Sequence, residues 1–162
     1  MQTTTTIDTI IEPLDELFRK HGYRNHLHEE DPNLEEDISK PDQFITAAWQ
    51  KHLMTEDWIK AEVPIRQDAR EKIDIVDYQT HTAYEVKVSV TDVNQEFYQA
   101  LWKVIAYNNN HDKPIKALVF LSEHNGIKFL EQSTLFQETI RLMDSGMFPS
   151  QIKITLRAIA VN

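Results

Sequence analysis

KIDIVDYQTHTAYEVKVSV, residues 72–90, holds two strand-like runs around a polar turn, with acidic side chains lodged inside both. Side chains alternate faces along a strand, so Tyr84, Val86, Val88 and Val90 form one apolar face, and Ala83, Glu85, Lys87 and Ser89 the other. Glu85 and Lys87 point the same way with Cα atoms about 7 Å apart. The two runs fold naturally into a hairpin, and the parity of its loop decides what joins them. An even loop at 79–82 sets Tyr78 opposite Ala83, Val76 opposite Glu85 and Asp74 opposite Lys87, because facing residues share a side of the sheet. An odd loop brings Asp77 to that patch in place of Asp74. No Asn-Gly signal fixes the parity; Asp74 is the favoured partner.

Working outward, the chain reads as one α/β domain. Ile7, Ile10, Ile11, Leu14, Leu17 and Phe18 recur at helical spacing, with Pro13 implying a kink or a late start and Gly22 a stop. Residues 26–42 are acidic and proline-bearing, and read mostly as loop. Asp42 is a candidate cap for a helix over 43–54, with Phe44, Ile45, Ala48 and Trp49 inward. The period changes to two from Trp58. A long helix is expected over 93–109, in which Phe97 and Trp102 read as core. IKALVFLS, residues 115–122, is a continuous apolar strand of the kind buried on both faces. A helix over 129–143 and a last strand in QIKITLRAIAV complete the reading.

Composition sets limits. The 162 residues suffice for one domain with a real core. The absence of Cys excludes disulfides and thiolate metal sites. No apolar run approaches a membrane span, and residues 1–6 lack the marks of an export signal; a cytoplasmic setting with no membrane partner is expected. Lys and Arg number 17 against 26 Asp and Glu, a net charge of −9. That balance disfavours gripping nucleic acid through a broad basic surface, though not through a small local patch.

Two carboxylates and a lysine on one patch suit divalent-metal phosphodiester hydrolysis. Mg²⁺ takes one or two carboxylates plus waters and substrate phosphate, and lowers the pKa of a bound water. Lys87 is suited to orient that water or to face an anionic transition state. Arg66 and Arg70, with Lys72, form the best local basic patch and are candidate phosphate contacts. His21, His26 and His28, beside Glu29, Glu30 and Asp31, read as a solvated acidic loop.

The pattern resembles the PD-(D/E)xK, or restriction-endonuclease-like, nuclease superfamily. Asp74 in KIDIVDY matches its strand Asp, and Glu85-Val86-Lys87 in AYEVKVS its (D/E)-x-K. The order helix, three meandering strands, helix, strand over about 43–122 is similar to its core, with the first helix and the last helix and strand as additions. The resemblance implies a mixed central sheet flanked by helices on both faces. It implies a Mg²⁺-dependent nuclease, Mn²⁺ being a substitute, acting on nucleic acid with DNA the expected substrate, and a homodimer as candidate assembly. Asp74 and Glu85 would be the metal ligands with the Val86 carbonyl as a third oxygen. Gln99, in QALWK, resembles the glutamine that several branches carry on the helix after the motif. Many members take a further ligand Glu from the first core helix; residues 43–54 contain none, which leaves Glu62, Glu36 and Glu35 as candidates. A second reading is a nuclease-fold binding module with weak or lost activity, or an acidic inhibitor of a basic partner.

Overall fold

In the computed structural model, which describes residues 6–21, 41–87, 92–147 and 151–159, five strands form one mixed sheet with helices on both faces. The elements in order are α1 (Ile7–His21), α2 (Pro41–Leu53), β1 (Ile59–Pro64), β2 (Lys72–Asp77), β3 (Thr82–Lys87), α3 (Val93–Asn110), β4 (Ala117–Ser122), α4 (His124–Glu131), α5 (Thr134–Asp144) and β5 (Lys153–Ala158). Spatial order equals chain order, β1-β2-β3-β4-β5. The first three strands are an antiparallel meander, whereas β3, β4 and β5 are parallel and are joined through helices, as parallel neighbours require.

The alternation read from the sequence sorts the two cores. Ile59, Ile75, Tyr84, Val86, Val119 and Leu121 meet the apolar stripe of α1 and the Ile45, Trp49 and Leu53 side of α2. Val76, Ala83, Leu118 and Phe120 meet Phe97, Ala100, Leu101 and Val104 of α3, with α4 and α5 beyond. Thus β3 and β4 are covered on both faces, which is why ALVFLS carries no polar alternation. Glu85 and Lys87 lie on the middle strand of five and not on an edge of the sheet.

Several expectations change in detail. Helix α1 runs continuously through Pro13 and does not start after it. Helix α2 begins at Pro41, a residue that suits a first helical turn because its missing N–H is not needed there. Asp42 therefore lies within the first turn of the helix. The expected helix over 129–143 is two helices, divided at Ser133, whose hydroxyl accepts from Phe136 N–H at 3.4 Å as the cap of α5. Replacing Ser133 by Ala should cost about 1 kcal/mol, read as a lower urea midpoint at unchanged slope. Trp102 is 62% exposed and does not join the core. The acidic loop with Glu35, Glu36, His26 and His28, and also Val88, Ser89 and Val90, lie outside the described residues.

The hairpin has the expected even parity but a register two residues from that expected. Asp77 pairs with Thr82, Val76 with Ala83 and Ile75 with Tyr84, which leaves Tyr78–His81 as a four-residue loop. Asp77 builds that loop: its carboxylate accepts from Gln79 N–H at 2.9 Å and from Thr80 Oγ1 at 3.0 Å. On the other side of β2, the ladder to β1 passes over Glu62, which adopts φ 52° between the paired rows Ala61–Ile75 and Val63–Ile73.

Candidate active site

The β2–β3 ladder stops at Ile75–Tyr84, although both strands continue. Meanwhile β3 remains paired with β4 as far as Lys87–Ser122, and β2 with β1 as far as Lys72–Pro64. The sheet therefore divides between its second and third strands, at the carboxyl end of β3 and β4. Such ends are where open α/β sheets place ligand sites. Side chains replace the missing ladder. Asp74 Oδ2 accepts from Val86 N–H at 3.0 Å, and Glu85 Oε1 accepts from Asp74 N–H at 3.4 Å. Asp74 and Glu85 thus come together across the gap, while Asp77 is consumed by the turn. The two-residue register shift brings Asp74 level with Glu85 where the expected register had set it opposite Lys87.

Burial decides the electrostatics. Glu85 is only 6% exposed. Desolvation pushes its pKa well above the ordinary carboxylate value, and the neighbouring Asp74 charge pushes it further, against the pull of Lys103. Asp74 is also raised, first by burial, with the Val86 N–H and Lys103 opposing and Glu62 adding to the rise. Two acids that resist ionising together are held in a gap that a cation would suit.

Lys103 of α3 supplies a cation that the sequence reading did not anticipate. Its Nζ lies 2.7 Å from Glu85 Oε1 and donates to the Lys72 carbonyl at 2.8 Å. Lys87 takes a different partner, Glu96 of α3, at 3.7 Å. Strand and helix thus exchange charges in crossed order, Glu85 with Lys103 and Lys87 with Glu96. Glu96, Gln99 and Lys103 follow helical spacing along one stripe of α3. Gln99 is exposed on that stripe, between the two residues that reach β3.

Gln50 is the other unanticipated member. Buried on α2, it donates from Nε2 to the Asp74 carbonyl at 2.9 Å and to Glu62 Oε1 at 3.2 Å. It stands on the helix that lacks the ligand Glu implied by the resemblance, and it ties Glu62 to the Asp74 backbone. Arg66 and Arg70 are exposed in the β1–β2 loop, which Ile65 N–H closes onto the Glu71 carbonyl at 3.2 Å. That loop leads into β2 at the same end of the sheet as Asp74.

Among the described residues, no group of three or more His, Asp or Glu side chains is gathered as ligands for a metal ion. Glu62 therefore does not complete a carboxylate triad with Asp74 and Glu85. The paired carboxylates still fit a hard cation that takes two protein oxygens and fills its shell with water and phosphate. No helix among the described residues is long and apolar enough to cross a membrane. The chain matches no protein-family model, no curated protein and no solved structure.

Proposed function

We propose that the protein is a divalent-metal-dependent nuclease with a restriction-endonuclease-like core, Mg²⁺ or Mn²⁺ being the cation and DNA the favoured substrate. The observation that carries this reading is the Asp74–Glu85 pair where β2 and β3 part, Glu85 buried and Asp74 half-buried, with Lys87 two residues beyond Glu85 on β3. A fold retains two adjacent, desolvated carboxylates at a cost, and such sites are functional candidates.

Asp74 and Glu85 would hold the cation, which when bound acidifies a water and neutralises charge on the phosphodiester. The Val86 backbone, held by its N–H on Asp74 Oδ2, keeps the strand ends at fixed separation. Lys87, with its side chain 27% exposed and its ammonium near Glu96, stands at the rim where it can face the phosphate. Gln99 lies beyond it on α3 as a candidate for orienting substrate. Arg66 and Arg70 are suited to phosphates further along the strand, a local patch that an overall acidic protein can afford.

Cleavage of mixed single- and double-stranded DNA and RNA, with Mg²⁺ and with Mn²⁺, tests the reading. Turnover should require the metal. Lys87→Ala should lower it about a hundredfold, ~3 kcal/mol, with metal affinity nearly unchanged, because the amine acts on the phosphate and not on the cation. Wild-type protein that cuts none of these substrates would reject the reading. A binding module without turnover is the second reading, favoured by the Lys103 ammonium that already sits on Glu85. In that case Lys87→Ala should change nucleic-acid affinity only slightly.

A further inference from the structure

Lys103 sits on an oxygen that the proposed chemistry needs. Its ammonium is 2.7 Å from Glu85 Oε1, and its positive charge also opposes the rise in the pKa of Asp74. Its other partner is a neutral backbone carbonyl, that of Lys72, for which water can substitute. The side chain is 18% exposed, so it keeps contact with solvent while it holds Glu85. Lysine is a compact point charge on a flexible four-carbon stem, with three donors that accept many geometries. A monovalent cation that is tethered, neutralises a buried carboxylate and can swing outward is a natural occupant of a site awaiting a divalent one. The two cannot share the gap cheaply, because like charges a few ångströms apart in a poorly solvated space repel strongly.

We propose that Lys103 is a built-in competitor of the divalent cation, holding Glu85 until the metal arrives and then leaving it. This rests on the nuclease reading for the identity of the ligand, and it gives that site a regulator. In the absence of metal Lys103 satisfies Glu85 and keeps the gap from carrying two uncompensated carboxylates. With a divalent cation bound, Glu85 would be free to hold it together with Asp74, and the Lys103 ammonium would turn outward from the carboxylates. Lys103 is a positioning residue in this account, acting on the metal through Glu85.

The test uses the full chain without nucleic acid and titrates Mn²⁺ by calorimetry. Lys103→Met, which removes the competing charge, should bind Mn²⁺ about tenfold or more tightly than wild type. Lys103→Arg, which keeps the charge, should stay near wild type. Equal or weaker binding by Lys103→Met overturns the proposal, as does an absence of Mn²⁺ binding by either protein at millimolar concentration. Should Lys103→Met not fold, the wild-type protein answers directly. The lysine Nζ NMR signal that disappears in Lys103→Arg should shift when Mg²⁺ saturates the protein, and an unmoved signal overturns the proposal. Tighter Mn²⁺ binding by Lys103→Met without any cleavage by wild type would keep the competition and reject the nuclease reading. Cleavage by wild type with Mn²⁺ affinity indifferent to Lys103→Met would do the reverse.

Discussion

Asp74→Asn is expected to abolish metal-dependent cleavage, by about a thousandfold or more (~4 kcal/mol), and at the same time to raise the melting temperature of the metal-free protein near pH 8. The amide oxygen of Asn can still accept from Val86 N–H, so the bond at 3.0 Å survives while the charge is lost. The sign of the stability change follows from burial. Desolvation raises the Asp74 pKa in the folded protein, so the folded state holds that proton more tightly than the unfolded chain does. Stability from that proton is present below about pH 4, the ordinary Asp value, and is lost as pH rises through the folded value. Melts of the two proteins should therefore separate at neutral and alkaline pH and converge towards pH 4. Added Mn²⁺ should raise the melting point of the wild type and leave the variant where it was. A variant less stable than the wild type at pH 8 would show that the carboxylate is satisfied as an anion and would remove the physical case for a cation site.

Trp49→Ala is expected to cost about 3–5 kcal/mol, the usual range for emptying the space of a large buried aromatic. Trp49 is fully buried, its indole N–H donates to the Ile10 carbonyl at 2.8 Å, and its ring meets Tyr84 edge-on at 6.5 Å between centroids. One side chain thus joins α1, α2 and the middle strand. Urea titration should show a lower midpoint at unchanged slope. Trp49→Phe should lose less, about 1–3 kcal/mol, since the ring contact remains and the Ile10 carbonyl loses its indole donor. The residue after Trp49 is Gln50, which holds Glu62 and the Asp74 carbonyl. The alanine variant should consequently bind Mn²⁺ more weakly as well, a loss that a purely global destabilisation would not give at temperatures where the fold is intact.

The residues that were legible in the sequence are those whose placement depends on local periodicity. Tyr84 and Val86 take one face and Ala83 and Glu85 the other because a strand permits nothing else, whereas the choice of Asp74 over Asp77 depended on the parity of the loop. The register was readable only in part. The turn is built by the Asp77 side chain on Gln79 and Thr80, a signal of an Asp followed closely by a hydroxyl residue, and it starts the loop earlier than a count from Tyr78 suggested. Ser133 within an otherwise helical run was a similar sign, a capping residue that divides α4 from α5.

Lys103 and Gln50 were not legible because each reaches the site from a helix whose orientation is fixed by tertiary packing. Helical spacing does place Lys103 on the stripe of Glu96 and Gln99, yet nothing local says that this stripe meets β3. Trp102 departs from its expected core position for the same reason. Phe97, Leu101 and Val104 define the buried stripe of α3, and Trp102 falls outside it despite its size.

The backbone of Glu62 bears on how the sheet meets other chains. Among the described residues β1 borders the sheet with no strand on its outer side, and such edges invite further strands. Here the edge is blunted: Glu62 turns out of the extended region at φ 52°, Pro64 brings no N–H, and both are exposed along with Lys60. The opposite border, β5, has no such interruption over its six residues. Strand addition by a second copy or by another protein is therefore directed to β5, two strands away from the gap that holds Asp74 and Glu85, and would leave that gap open.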